Sequence, residues 1–204
     1  MKIFCIGRNY AEHAKEFGNA VPTTEPVIFM KPKNALLQGH TPFYYPHFTN
    51  KLHYECELVL RICKNGKHIQ SSFASNYYNG IGVGIDFTAR DIQDECKKKG
   101  LPWEKAKAFD NSAAVSTFLN ITPALNKKNI NFSLKKNGEL MQKGLSGDMI
   151  FSFDSIIEHI SNYFSLNNGD LIFTGTPAGV GECVVGDELD CYIENEKLLS
   201  VQIK

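Results

Sequence analysis

The chain has no apolar stretch long enough to cross a membrane and no excess of charge of either sign. A membrane-spanning helix needs roughly 20 predominantly apolar residues, and polar residues interrupt every apolar run well before that length. Lysine plus arginine and aspartate plus glutamate each number 22, so no net charge attracts the chain to nucleic acid or to an anionic membrane. The first residues also lack the long apolar segment of a signal peptide. We therefore predict a cytoplasmic protein that binds neither nucleic acid nor membranes.

Motifs for zinc, disulfides and nucleotides are missing too. The six cysteines are scattered and none forms a Cys-x-x-Cys pair, which indicates small core residues in a reducing compartment. The glycine-rich segment 174–181 contains neither Gly-Lys-Ser/Thr nor Gly-x-Gly-x-x-Gly, so it is not a nucleotide-binding loop. Its amides and hydroxyls are suited to hold a carboxylate or an oxyanion, and a tight turn fits the same pattern equally well.

Short apolar runs dominate the sequence and favour strands over helices. The runs that predict strands are residues 3–6, 27–30, 54–63, 80–87, 132–136, 140–142, 171–174, 189–193 and 198–203. Two of the segments between them, 64–67 and 136–139, contain Asn-Gly, which is a strong signal for a β-hairpin. We therefore expect an α+β fold that is mostly β, with an antiparallel or mixed sheet.

Three short helices are also predicted. The first, about residues 10–17, is polar and has little apolar surface to anchor it, so it is suited to be a mobile lid. The second begins with a capping-box-like Thr88-x-x-Asp91 and ends at Gly100. The third, about 154–164, has apolar residues at helical spacing and is interpreted as a structural brace. No repeat, linker or composition break divides the chain, so we expect one domain over residues 1–204.

Three acidic residues follow a pattern that is typical of a metal site. Glu55 and Glu57 stand one residue apart in a strand-like run, and Asp86 ends a second run about thirty residues later. Side chains alternate along a strand, so the two glutamates should share one face with His53. Buried carboxylates need a compensating cation, and a set of carboxylates without a His or Cys pair favours Mg²⁺, Mn²⁺ or Ca²⁺ over zinc. His53 fits a partner of the ligands, a ligand itself, or a structural histidine.

The run that ends in Asp86 allows two interpretations. Residues 80, 82 and 84 are glycines on the same face as Asp86, whereas the other face is apolar. The glycines either let a ligand approach the backbone in a cavity shared with the glutamates, or they mark a sterically tight sheet crossing in which Asp86 merely starts the next turn.

His13 and Glu16 stand three residues apart in the first helix and therefore point the same way. A histidine oriented by a carboxylate is a suitable general base near neutral pH. Such pairs are also common on solvated helices that have no catalytic role.

Five motifs together closely resemble the fumarylacetoacetate hydrolase family. They are Gly-Arg-Asn-Tyr at 7–10, Glu55-x-Glu57, Gly-Ile-Asp-Phe-Thr-Ala-Arg-Asp at 84–91, Gly-Leu-Pro-Trp at 100–103 followed by Lys107, and Thr-Gly-Thr-Pro at 174–177. Their order and spacing match over nearly the whole chain, most like the short acylpyruvase and oxaloacetate decarboxylase branch, without the N-terminal domain of the larger enzyme. The resemblance implies a mixed β-roll of the C-terminal-domain type with a few short helices, usually paired as a homodimer.

The resemblance also implies roles for ten residues and a cofactor, Mg²⁺ or Mn²⁺. The metal ligands are Glu55, Glu57 and Asp86; the catalytic residues are His13, Glu16 and Lys107; the substrate-binding residues are Arg90, Gln93, Thr176 and Lys31. In the family the His-Glu pair lies on a lid over the substrate, and the lysine faces a bound keto acid.

The implied function is metal-dependent chemistry on a small 2-oxo acid. One reaction is hydrolysis of the C–C bond of acylpyruvates to pyruvate and a carboxylic acid, in which His13 and Glu16 activate the attacking water. Another is decarboxylation of oxaloacetate, which needs no attacking water. The alternatives are a keto–enol tautomerase, an isomerase or decarboxylase of aromatic catabolism on the same metal site, and a non-catalytic binder of keto acids.

Overall fold

Most of the regular secondary structure in the described residues is β-strand, as the alternating pattern predicts. The computed structural model describes residues 1–16, 24–37, 41–121, 127 and 129–204, of which residues 14–16 by their backbone alone. The strands are β1 (Ile3–Gly7), β2 (Val27–Lys31), β3 (Leu52–Tyr54), β4 (Cys56–Ile62), β5 (Tyr78–Asp86), β6 (Thr88–Ala89), β7 (Ala113–Val115), β8 (Leu119–Asn120), β9 (Asn131–Lys136), β10 (Glu139–Leu145), β11 (Leu171–Phe173), β12 (Gly181–Glu182), β13 (Glu188–Ile193) and β14 (Glu196–Gln202).

The helices are short and connect or brace the sheets. They are α1 (Ala11–Glu16), α2 (Ser71–Ala74), α3 (Arg90–Lys99), α4 (Glu104–Lys107) and α5 (Phe153–Tyr163), with 3₁₀ turns at Lys33–Ala35 and Ser146–Asp148. No helix in the described ranges is long and apolar enough to span a membrane.

The described strands form three sheets. The largest has the order β2-β1-β11-β4-β5-β7, with β8 also paired to β5. Within it β1 and β11 run parallel and the other pairs run antiparallel, so the sheet is mixed. The second sheet, β10-β9-β13-β14, and the third, β12-β3-β6, are antiparallel. The predicted fold class, α+β and mostly β with a mixed roll and short helices, is confirmed.

Strand β4 separates two apolar clusters by the alternation of its side chains. Its residues in the larger cluster are Cys56, Leu58, Leu60 and Ile62. Val59 belongs instead to a smaller cluster with Cys5 and Phe173 of the neighbouring strands. Burying a side chain of this size stabilises the fold by about 1.5–3 kcal/mol. The two-sided burial fixes the register of β4 and therefore the face on which Glu57 lies.

The single strand predicted over 54–63 is wrong in one respect. The structure divides it at Glu55, so that β3 belongs to the three-stranded sheet and β4 to the large one. At the break, the backbone amide of Cys56 donates to the side chain of Gln142 (2.9 Å) instead of to a neighbouring strand. His53 and Glu57 therefore lie in different sheets, and strand alternation alone does not place them on one face.

One of the two predicted hairpins forms. Strands β9 and β10 pair antiparallel around Asn137 and Gly138, whose φ angles of 53° and 84° suit the tight turn that Asn-Gly favours. The hairpin predicted at 64–67 is wrong, because β4 ends at Ile62 and no described strand follows until β5. Gly66 bridges Leu166 instead, so this segment packs against the end of α5.

The predicted capping box at Thr88 is wrong as well. Thr88 lies in β6, and its hydroxyl donates to the Glu55 carboxylate (3.2 Å), while α3 begins at Arg90 without a side-chain cap. The end of that helix is as predicted, since Gly100 adopts the left-handed conformation with φ 63°. For the first helix, α1 covers Ala11–Glu16, and the predicted continuation to residue 17 lies outside the described residues.

Candidate metal centre and active site

The three predicted metal ligands meet at one end of the β4–β5 ladder. Glu57 lies opposite Gly84 in that ladder, and the amide of Asp86 donates to the carbonyl of Glu55 (2.8 Å). One oxygen from each of the three carboxylates lies within 4.8 Å of the others, and the residues are 5%, 2% and 0% exposed in chain order. A buried cluster of three carboxylate oxygens is a donor set that suits a hard divalent cation.

Positively charged side chains compensate two of the three carboxylates. The Lys107 ammonium nitrogen lies 2.8 Å from Glu55 Oε2 and 2.7 Å from Asp86 Oδ2, and Arg90 donates to Glu55 Oε1. Burial raises the pKa of Glu55, but Lys107 and Arg90 lower it by more and hold it below its usual range. Burial lowers the pKa of Lys107, but Asp86 and Glu55 raise it overall, so the ammonium stays charged.

Glu57 differs from the other two carboxylates, because it has no such partner within the described residues. Among the residues that the structure describes, no lysine or arginine forms an ion pair with it, and its Oε2 accepts a hydrogen bond from the amide of Gly175 (2.7 Å). Burial, together with the charges of Asp86 and Glu55, raises the pKa of Glu57 well above its usual value. A divalent cation between the three carboxylates would supply the charge that the ionised form of Glu57 needs. The site therefore fits Mg²⁺ or Mn²⁺.

Gly175 brings its amide to Glu57 through a backbone conformation that other residues rarely adopt. Its φ is 104°, and a Cβ at this position would lie 2.7 Å from the Cβ of Asn9. Asn9 is fully buried, donating to the carbonyls of Phe151 (3.0 Å) and Thr174 (2.8 Å) and accepting from the amide of Phe151 (2.7 Å). Segment 174–177 is therefore a fixed turn whose amide binds a carboxylate of the protein itself.

The glycines of β5 serve packing. A Cβ at Gly82 would meet Ser116 Oγ at 2.9 Å, and one at Gly84 would meet Phe173 and Val59, also at 2.9 Å. The tight sheet crossing is thus the correct interpretation for the glycines, while Asp86 at the end of the strand faces the carboxylate cluster.

A cleft that is open to solvent lies over the three carboxylates. Eight of the ten residues singled out in the sequence line it: His13, Glu55, Glu57, Asp86, Arg90, Gln93, Lys107 and Thr176. His13 is buried, and its charge is among the causes that lower the pKa of Glu55, so helix α1 brings the imidazole close to the cluster. The side chain of Glu16 lies outside the described part of the molecule, so the His13–Glu16 pair stays a prediction.

Lys31 is not among the residues that line this cleft. Its fully buried ammonium nitrogen lies 2.7 Å from Asp86 Oδ1, and it donates to the carbonyl of Lys107 and to the hydroxyl of Ser112 (2.9 Å). This side chain therefore holds Asp86 and the end of α4 together, a place that differs from the substrate contact predicted for it.

Arg90 and His53 form a layer behind Glu55. The guanidinium donates through Nε to His53 Nδ1 (3.3 Å), through Nη1 to Gln93 Oε1 (2.5 Å) and through Nη2 to Glu55. Burial and the charge of Arg90 lower the pKa of His53 to about 4, so its ring is neutral at pH 7. Because His53 Nδ1 accepts from Arg90, we assign His53 as a partner of the ligand shell and not as a metal ligand.

Gln142 is a residue of the site that the sequence analysis missed. It is 1% exposed in β10; its Oε1 accepts from the amide of Cys56 (2.9 Å), and its Nε2 donates to Thr176 Oγ1 (2.9 Å) and to the carbonyl of Pro177 (3.0 Å). Thr176 in turn donates its hydroxyl to the carbonyl of Cys56 (2.8 Å). These bonds position the backbone between the two glutamates. A glutamine on the inward face of a strand was the available signal.

Comparisons with known proteins agree with this arrangement. A family model described as fumarylacetoacetate (FAA) hydrolase C-terminal matches residues 2–204. Mitochondrial oxaloacetate tautomerase FAHD1 of Bos taurus is 43% identical over 202 residues, which cover 99% of this chain and 90% of that protein. Oxaloacetate tautomerase YcgM of Escherichia coli is 41% identical, with 97% and 90% covered.

A solved structure extends the likeness to three dimensions. The crystal structure of fumarylpyruvate hydrolase from Pseudomonas aeruginosa, in complex with Mn²⁺ and pyruvate, superposes with a TM-score of 0.93 at 35% identity. The superposition covers 100% of this chain and 89% of that one. The likeness therefore includes every element that positions the carboxylate cluster and the cleft.

Proposed function

Because this chain belongs to the fumarylacetoacetate hydrolase family, we propose that it is a divalent-metal-dependent enzyme of 2-oxo acids whose main reaction is keto–enol tautomerisation of oxaloacetate. The observation that carries the metal dependence is the buried carboxylate cluster, in which Glu57 lacks a cationic partner within the described ranges. The names of the tautomerases at 41% and 43% identity favour this reaction over the hydrolysis and decarboxylation predicted from the sequence.

In this proposal Glu55, Glu57 and Asp86 hold Mg²⁺ or Mn²⁺. A divalent ion held by these residues would supply Lewis-acid polarisation of the 2-oxo group. The protein must then move one proton between C3 and the 2-oxo oxygen. His13 lines the cleft, and the ordinary pKa of a histidine suits such a transfer near neutral pH. In this proposal His13 takes the proton from C3 and returns it to the oxygen.

Lys107 and Arg90 have supporting roles. Lys107 stays charged and lines the cleft, where its ammonium would stabilise negative charge on the 2-oxo oxygen as C3 loses its proton. Arg90 holds Glu55 and Gln93 in place, and Lys31 holds Asp86 from behind. Thr176 has its hydroxyl proton committed to the carbonyl of Cys56, so it contacts a substrate as an acceptor or through its backbone.

Hydrolysis of acylpyruvates is the second candidate. The solved relative that carries Mn²⁺ and pyruvate is named a fumarylpyruvate hydrolase. The same cleft would accept an acylpyruvate, with His13 deprotonating a water that attacks the distal carbonyl, assisted by Glu16. Decarboxylation of oxaloacetate would need neither the water nor the base.

The decisive experiment follows the ultraviolet absorbance of enol-oxaloacetate with metal-stripped protein, with and without added Mg²⁺ or Mn²⁺. We expect metal-dependent acceleration of tautomerisation, and a large loss of it in His13→Ala. Pyruvate release, measured in parallel with lactate dehydrogenase, separates decarboxylation, and acetylpyruvate reports hydrolysis. If neither metal accelerates the loss of the enol signal, the main reaction is assigned wrongly. Turnover of acetylpyruvate alone would show that the protein is a hydrolase. Binding of keto acids without any turnover would show that it is a keto-acid binder.

Three expectations from the sequence stay predictions. They are one catalytic domain over residues 1–204, a homodimer, and a cytoplasmic location. The mammalian relative is named mitochondrial, whereas the E. coli relative comes from a bacterium. Fractionation of the source cells and light scattering of the purified protein test location and oligomeric state.

A further inference from the structure

Two positively charged residues, Arg8 and Lys97, line the cleft in addition to those that hold the carboxylates. The negative charges of Glu55, Glu57 and Asp86 number three, and the side chains of Lys31, Arg90 and Lys107 that contact this cluster also carry three charges. Within the described residues, neither Arg8 nor Lys97 forms an ion pair with an acidic group. Their charge is therefore available to a ligand.

Lys97 is held in place by its surroundings. It projects from α3, and its ammonium nitrogen lies 5.9 Å from the centre of the Trp103 ring, which also lines the cleft. Burial lowers its pKa, and the charges of Arg90 and Arg8 lower it further, against an opposing effect of Asp94. Because Lys97 and Arg8 repel each other, an anion bound between them would stabilise the charged forms of both.

Arg8 is presented by an unusual backbone conformation. Its φ is 60°, a left-handed value that a non-glycine residue rarely adopts and that is enriched at functional sites. The next residue, Asn9, fixes the turn, because its buried side chain makes three hydrogen bonds to the backbone of Phe151 and Thr174. The fold thus maintains a strained conformation at the residue that brings a guanidinium to the cleft.

We propose that Arg8 and Lys97 form a subsite for the second carboxylate of a dicarboxylic 2-oxo acid. The inference builds on the proposed function, in which the 2-oxo acid end of the substrate lies at the carboxylate cluster. A divalent ion and the two extra cations together leave the cleft positively charged, which matches a dianion better than a monoanion. The subsite would select four-carbon diacids such as oxaloacetate over acylpyruvates whose far end is uncharged.

The test compares two ligands that share the 2-oxo acid end and differ in the second carboxylate. Pyruvate has one carboxylate, and 3,3-difluoro-oxaloacetate has two but no proton at C3 to transfer. Calorimetry with the Mg²⁺-loaded protein should show that Lys97→Met and Arg8→Gln each weaken binding of the diacid about tenfold or more, as expected for a charge pair in a partly buried cleft. Binding of pyruvate should change less than about twofold.

The matched control is Lys98→Met, which removes the same charge from the neighbouring, exposed position of α3. It should leave both affinities unchanged, and Lys97→Arg should retain selectivity for the diacid because it keeps the charge. If Lys97→Met weakens pyruvate and the diacid equally, or if Lys98→Met has the same effect, the subsite is overturned. Thermal denaturation of each variant shows whether a loss of binding results from a loss of folding. If Arg8→Gln does not fold, the comparison of Lys97→Met with Lys97→Arg tests the subsite.

These readouts separate the two proposals. Selective loss of diacid binding supports the subsite even when oxaloacetate is not turned over, in which case the proposed reaction fails alone. Turnover of oxaloacetate with the same KM in wild type and in Lys97→Met would leave the reaction intact and reject the subsite.

Discussion

The ammonium nitrogen of Lys107 lies 2.7 Å from Asp86 Oδ2, and both side chains are buried. The same nitrogen lies 2.8 Å from Glu55 Oε2, so one cation of the protein bridges two of the three carboxylates that are assigned to a metal ion. A lysine in this position has two opposing effects. It reduces the repulsion within the cluster, and it repels a second cation that binds there.

Replacing Lys107 should therefore strengthen metal binding while it impairs catalysis. In Lys107→Met the repulsion is removed, and we expect tighter binding of Mg²⁺ or Mn²⁺ by calorimetry, together with a loss of tautomerase activity of about 100-fold, the usual effect of deleting one electrostatic group. Lys105→Met, at an exposed position of the same helix, is the matched control. Weaker metal binding in Lys107→Met would mean that the lysine mainly orients the carboxylates.

Glu55 and Glu57 should respond oppositely to the same substitution. Glu57→Gln replaces a carboxylate whose ionised form is disfavoured, and the amide of Gly175 keeps an acceptor, so stability without metal should not fall. Glu55→Gln removes the carboxylate that Arg90 and Lys107 share and leaves Lys107 with Asp86 alone, so it should lower the free energy of unfolding by about 3–5 kcal/mol.

Metal should raise the free energy of unfolding of the wild type by about 2.7 kcal/mol at a metal concentration 100-fold above Kd. Glu55→Gln and Glu57→Gln should both lose this increase. Urea denaturation with and without Mg²⁺ measures both effects. Equal destabilisation of the metal-free variants would contradict the charge assignment.

Gly175→Ala tests the turn that bonds Glu57. The alanine Cβ would meet Asn9 at 2.7 Å in addition to the strain of a φ near 104°, so we expect a loss of stability of a few kcal/mol and weaker metal binding. Gly186→Ala is the control, because Gly186 has a φ of 102° but no atom within 4 Å of an added Cβ. It should show the backbone strain alone, about 1–2 kcal/mol, and unchanged metal affinity. Similar metal affinities in the two variants would remove Gly175 from the site.

Gln142→Ala tests the residue that positions the backbone between the glutamates. It deletes three buried hydrogen bonds and leaves the amide of Cys56 unsatisfied, so the free energy of unfolding should fall by about 2–4 kcal/mol. Metal affinity should fall as well, although Gln142 contributes no ligand. Lys143→Ala, at the adjacent exposed position, should change neither quantity. A destabilised variant with unchanged metal binding would show that Gln142 serves folding only.

Local patterns predicted the parts of the fold that neighbouring residues decide. The hairpin at Asn137 and Gly138 forms because that dipeptide itself adopts the required φ angles. The same dipeptide at 65–66 does not form a hairpin, because Gly66 bridges a residue a hundred positions away. Thr88 does not cap the helix because a residue distant in the chain also competes for its side chain: its hydroxyl donates to the buried carboxylate of Glu55.

Three features could be read from the sequence alone: the mostly β class, the alternation that separates Leu58 from Glu57, and the acidic triad as a metal-site candidate. These follow from side-chain period and from the cost of burying unpaired charge, which act within a strand. The packing of the sheets established which cations neutralise Glu55 and Asp86 and that Glu57 accepts from the amide of Gly175. It also placed Lys31 against Asp86, and Arg8 and Lys97 together in the lining of the cleft. Such pairings join residues far apart in the chain, and their energies depend on distances and burial that exist only after the sheets have packed.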